Sequence, residues 1–160
     1  MTHFLVLLLA LLIGVVAGLR ALTPPAVVAW AAALHWINLD GTWAQWLAHP
    51  ITVTVLTILA VVELITDQLP KTPSRKTPVQ FLARLIVGAF AGAVIGTAWG
   101  YTFGGLGAGM IGAVLGTLGG YEARTRLVAA TGGRDLPVAL VEDVVAVVGG
   151  FAVAALTAVV

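Results

Sequence analysis

Cysteine is missing from the chain altogether, which excludes disulfides, thiolate metal sites and thiol catalysis and leaves the redox state of the compartment unmarked. Charge is nearly as scarce. Asp, Glu, Lys and Arg make up 9% of the 160 residues, against roughly 25% in an ordinary soluble domain. So few charges cannot cover a water-facing surface. Lys and Arg are absent before Arg20, so the apolar run that starts at Phe4 lacks the basic flank of a cleaved signal peptide. His3, His35 and His49 show no H-x-x-x-H or H-E-x-x-H spacing, and no P-loop or G-x-S-x-G is present. No metal, no cofactor and no enzymatic activity are therefore expected. The basic segments are too short and too close to apolar runs for nucleic-acid binding.

What fills the chain is apolar. Hydrophobic residues reach 60% and the mean hydropathy is +1.06. Repeated long runs of this kind read as bilayer-spanning helices. The expected fold is an all-α polytopic bundle of about six membrane segments forming one domain over 1–160. A first half covers about 1–69, a basic loop 70–78, and a second half about 79–160.

Residues 4–22 make the first span. Thr23, Pro24 and Pro25 interrupt it, because proline removes an amide donor and clashes with the preceding turn. The segment 24–37, with Thr23 as its expected cap, is about 20 Å long. It is either a steep short span or a half-helix. The loop from Asn38 to Pro50 has no Lys or Arg, and Trp43, Trp46 and Leu47 fall on one face of a short interfacial helix. A third span covers 51–69. After the basic loop, with Lys71, Arg75 and Lys76, Thr77-Pro78 marks a new helix start. Spans at about 79–99 and 105–121 follow, then a polar loop from Tyr121 to Asp135 and a last helix at about 136–159 capped by Asp135.

Glycines recur at four-residue spacing. Gly14 and Gly18 do so in the first span, then Gly88, Gly92, Gly96, Gly100 and Gly104 in the second half, followed by Gly105 and Gly109 and, after a three-residue step, Gly112, Gly116 and Gly120. In lipid such ladders let backbones approach closely, so helix packing is the expected role and a pore wall the alternative.

Charge and aromatics are segregated. With six spans and both termini outside, all eight Lys and Arg residues fall on the cytoplasmic side, while Trp36, Trp43, Trp46, Trp99 and Tyr101 gather at the outer interface. The expected location is the bacterial cytoplasmic membrane, with anionic headgroups against the basic loops. Arg20, Glu63, Asp67, Arg84, Glu142 and Asp143 lie within or at the ends of apolar runs, where an unpaired charge is costly. Arg20 is expected to pair with Glu63 or Asp67, and Arg84 with Glu142 or Asp143. These six residues are either ion pairs clamping the bundle or a site for an ion, proton or small anion. The helix start after Thr23 would assist Arg20 in attracting an anion.

Three segments precede the basic loop and three follow it, so the halves would run in opposite orientations. L-I-G-V-V-A-G (Leu12–Gly18) and L-I-V-G-A-F-A-G (Leu85–Gly92) match weakly between them. Paired interruptions in inverted halves point to transporters; chance similarity between Gly/Val-rich segments is the rival.

The stretches G-L-R-A-L-T-P (Gly18–Pro24) and E-L-I-T-D-Q-L-P-K-T-P-S-R (Glu63–Arg75) resemble the small bacterial integral membrane family known as domain of unknown function 4126. The resemblance covers nearly the whole chain and implies a multi-helix membrane protein without an assigned activity. Two functions of different class stand open. One is a transporter or channel for an ion or small anionic solute, built on inverted halves and dimeric. The other is a non-transporting scaffold or lipid-binding protein whose charges serve packing. An enzyme acting on lipid ranks third, for want of a nucleophile.

Overall fold

The computed structural model describes residues 1–69 and 77–160; the basic loop residues Lys71, Arg75 and Lys76 lie outside them. Among these residues six α-helices and one short 3-10 turn follow in order: α1 His3–Leu19, α2 Thr23–Ala33, the turn Gln45–Ala48, α3 Pro50–Thr66, α4 Pro78–Ala98, α5 Thr102–Ala130 and α6 Asp135–Val159. The described residues form no strand. By length and composition α4, α5 and α6 are each able to cross a membrane, while α1 and α3 are shorter apolar helices. The 17 residues of α1 and of α3 span about 25 Å at 1.5 Å per residue, against a hydrocarbon core of about 30 Å.

α1, α4 and α5 form a tightly packed triad, and glycine is what permits it. A Cβ placed on Gly92 would run into the carbonyl oxygen of Gly105, and one on Gly105 into that of Gly92. Gly88 and Gly109 stand in the same relation, while Gly14 abuts Gly109 and Gly18 abuts Gly116 and Thr117. Gly112 and Gly116 of α5 lie against the carbonyls of Leu11 and Val15. Backbones this close exchange dispersion contacts that no larger residue would allow. Gly96 presses on the Tyr101 carbonyl and Gly104 on the Leu7 side chain.

Gly100 departs from the expected pattern. It has φ 78° and open space where a Cβ would be. It is the left-handed residue that ends α4: the Tyr101 amide donates to the Gly96 carbonyl at 2.7 Å and the Gly100 amide to that of Thr97 at 3.2 Å. That is a Schellman termination, so the ladder skips from Gly96 to Gly104 across a turn.

Other boundaries also differ from expectation. α1 stops at Leu19, three residues early, and Arg20 adopts an extended conformation at φ −140°, ψ 117°. Thr23 is the first residue of α2 rather than its cap. α2 is an 11-residue helix buried over nearly its whole length, about 17 Å long. The predicted polar loop after Tyr121 is helical as far as Ala130, because E-A-R-T-R-L-V-A-A is mostly composed of good helix formers and Arg126 pairs with Glu122 one turn back at 2.8 Å. Asp135 does not cap α6; it sits in the first turn after Arg134 and receives Arg124 instead. In the loop between α2 and α3, Leu47 is buried while Trp43 and Trp46 are half-exposed, so the three do not share one face. Both tryptophan rings lie against Phe90 of α4. The helices of the first half have 17, 11 and 17 residues and those of the second 21, 29 and 25, so the halves do not match element for element.

Candidate functional site

Alternating helix directions carry the ends of α1, α3 and α5 and the beginnings of α4 and α6 to one end of the bundle. The opposite end is aromatic: His3 stacks on Tyr101 at 4.3 Å, and Trp43 Nε1 donates to Thr97 Oγ1 at 3.0 Å. At the charged end the chain between α1 and α2 is broken by Arg20, Ala21 and Leu22, and the ionisable residues converge there.

Arg20 is wholly buried, with 0% of its surface exposed. Its Nε donates to Asp143 Oδ1 at 2.5 Å, and its Nη2 is also paired with that oxygen. Nη1 lies 3.3 Å from Asp67 Oδ2 and 3.5 Å from Glu142 Oε2, and donates to the Leu19 carbonyl at 3.0 Å. One guanidinium thus joins α1 to α3 and α6. The expected pairing with Asp67 is present, but Asp143 makes the closer contact. Gln68 ties the two acids' helices together, its Nε2 donating to Asp143 Oδ2 at 2.6 Å. Glu142 is shared with Arg124, whose Nη1 stands 3.2 Å away while its other nitrogens bind Asp135 at 2.9 and 2.7 Å.

Glu63 has a different task. Its two oxygens accept the amides of Ala21 at 2.7 Å and Leu22 at 2.6 Å. Pro24 and Pro25 leave the first turn of α2 short of donors, and the broken backbone before it exposes two that need an acceptor. The carboxylate of α3 supplies both, where the negative charge is also favoured by the α2 dipole. The seat that the sequence offers to an external anion beside Arg20 is therefore filled by the protein's own acids. Glu63 takes the amides, and Asp67 and Asp143 take the guanidinium.

Arg84 is 4% exposed and reaches from α4 to α1, its Nη1 donating to the Gly18 carbonyl at 2.9 Å. Among the described residues the contact seen for its Nη1 is this carbonyl, where the sequence predicts pairing with Glu142 or Asp143. Gly18 brings α1 close enough for its last, otherwise unpaired carbonyls to be capped by a cation, which their dipole also favours.

Sequence reasoning missed two members. Gln68 is a neutral residue beside Asp67, and Arg124 falls in the stretch that the sequence reads as a loop. The helix end at Thr131-Gly132-Gly133 was legible: Gly132 has φ 73° and the Gly133 amide donates to the Val128 carbonyl at 2.9 Å. Carrying α5 to that point puts Arg124 on a helix, not in a loop. Among the described residues no group of His, Asp and Glu is arranged to hold a metal ion.

A family model described as a domain of unknown function (DUF4126) matches residues 7–160. No curated protein and no solved structure matches the chain.

Proposed function

The chain belongs to the domain of unknown function (DUF4126) family, a membership that assigns no activity, and from the arrangement of its charges we propose a non-transporting membrane protein whose buried ions lock its helices together. The observation that carries this reading is Arg20, fully buried and bound by carboxylates from both α3 and α6. Each acid near it is engaged, and the glycine contacts bring the backbones of α1, α4 and α5 directly together. The apolar outer faces of α3 and α6, with Ile58, Ile65, Val141 and Val148 exposed, then meet lipid. The charged end faces the cytoplasm in this proposal, placing exposed Arg126 and Arg134 near anionic headgroups, where each cation is worth about 1 kcal/mol. No catalytic step belongs to it.

A transporter is the second reading, and α2 favours it. A buried half-helix that begins beside charged residues within the bundle is the element around which many transporters bind solute. The purified protein reconstituted in liposomes decides between the two. Fluxes of chloride, phosphate, potassium and protons at the level of empty vesicles are expected. Flux that disappears in Arg20→Met or Glu63→Gln would overturn the proposal in favour of transport.

A further inference from the structure

α3 is attached to the rest of the protein unevenly. Its first residues follow the turn Gln45–Ala48, where Ala44 and Leu47 are fully buried in the core together with Leu39. Val53 belongs to that same core. Beyond it the shaft is held more sparsely: Leu56 packs against the core from a half-buried position, Ala60 is the other buried residue of the helix, and Thr57 accepts the Trp30 indole at 2.9 Å. Val55, Ile58, Leu59, Val61, Val62 and Ile65 all face outward. In lipid, apolar side chains gain little by leaving lipid for protein. The charged end is the opposite. There Glu63 binds the Ala21 and Leu22 amides, Asp67 binds Arg20, and Gln68 binds Asp143. Among the described residues α3 is anchored at one end by packing and fastened at the other chiefly by polar side chains.

We infer that α3 is a hinged arm, held shut at its charged end chiefly by the Glu63 and Asp67 carboxylates, with Gln68 adding a single bond to Asp143. Neutralising those two carboxylates frees that end to swing while the aromatic end stays in place. The swing uncovers Arg20 and the Ala21–Leu22 amides. α6 does not move with it, because Asp143 keeps its hold on Arg20 through Oδ1 and Glu142 keeps Arg124. The charges bearing on the two acids are Arg20 at the end of α1, Arg84 of α4, Arg124 of α5, and Glu142 and Asp143 of α6. All of them act on the same closed state. The device does not depend on the non-transporting reading: an arm that swings is compatible with either function.

The absence of cysteine makes distance measurements direct. One pair of spin labels goes on Ile65→Cys and Leu140→Cys at the charged end, and another on Ile51→Cys and Leu156→Cys at the aromatic end. All four positions are exposed. Both pairs are measured in lipid nanodiscs with and without Glu63→Gln/Asp67→Asn. A modest tilt of an arm about 25 Å long moves its free end by roughly 4 Å. The charged-end distance is expected to lengthen or broaden by about that much in the neutralised protein, with the aromatic-end distance unchanged. An unchanged charged-end distance would overturn the inference, because the arm would then be held by something other than charge. Lengthening of both distances together would overturn it as well, since the helix would be detaching as a whole rather than turning about one end.

Discussion

Replacing Arg20 by methionine is the most informative single perturbation of this molecule. Methionine keeps much of the volume of the arginine stem and removes five donors. Asp143 then loses its contacts with Nε and Nη2, and Asp67 loses Nη1. Breaking a buried ion pair by deleting one member typically costs about 3–5 kcal/mol, because the stranded charge stays desolvated. Arg20 is 0% exposed and serves more than one carboxylate, so the upper part of that range is expected. Asp143→Asn should restore part of the loss when combined with Arg20→Met, by removing the stranded charge. The coupling expected in the double-mutant cycle is about 1–3 kcal/mol. Asp67→Asn should couple to Arg20→Met less strongly, in keeping with its longer 3.3 Å contact. Reversible unfolding in mixed micelles, followed by tryptophan fluorescence, reads each value. Two outcomes would refute the reasoning: Arg20→Met within about 0.5 kcal/mol of wild type, the range of ordinary surface changes, or strict additivity with both acids. Arg20 would then reach the headgroups instead of closing the cluster.

Glu63→Gln should destabilise by about 1.5–3 kcal/mol, the usual worth of hydrogen bonds to a charged group, and unfolding of Glu63→Gln with Arg20→Met should show near-additive losses because the two residues bind different groups. Gly92→Ala and Gly109→Ala should each lower the melting temperature in detergent, overpacking costing about 1–3 kcal/mol or more where backbone must move. Gly107→Ala, with open space at its Cβ, should not. Gly100→Ala should be destabilising by about 1–2 kcal/mol through its left-handed backbone rather than through packing, so a thermal shift equal to that of Gly107→Ala would contradict its assignment as a helix terminator. Single cysteines at Thr42 and Thr131 should react with an impermeant reagent from opposite faces of sealed vesicles; same-side labelling would break the proposed topology.

The helical segments were legible because their signals are local. Runs of apolar residues, Thr77-Pro78 and the glycine spacing each act within a turn or two. The early end of α1 was harder to read, since Arg20 leaves the helix for partners on α3 and α6 that lie 47 and 123 positions away. Gly100 illustrates the other failure. Its four-residue spacing fits the ladder, but a spacing rule does not register that the chain reverses there. The charged residues were all identifiable as costly in an apolar setting, which is a property of each residue alone. Who pairs with whom depends on helix rotation, and α5 settled that by extending nine residues beyond the predicted span and delivering Arg124 to Glu142 and Asp135.

Arg20 also imposes an order on assembly. In the membrane setting proposed above, it would enter the bilayer with α1 when neither of its principal acids has been synthesised, and Asp143 follows only after 123 further positions. Domains are made from the amino end, so the guanidinium must remain hydrated in the headgroup region until α3 brings Asp67, and it stays incompletely neutralised until α6 arrives. Closing the cluster is thus among the last events of biogenesis and depends on nearly the whole chain being present. A nascent or truncated product that lacks α6 keeps a wet arginine at the edge of the bilayer, which distinguishes an unfinished molecule from a finished one for any protease that patrols membrane proteins.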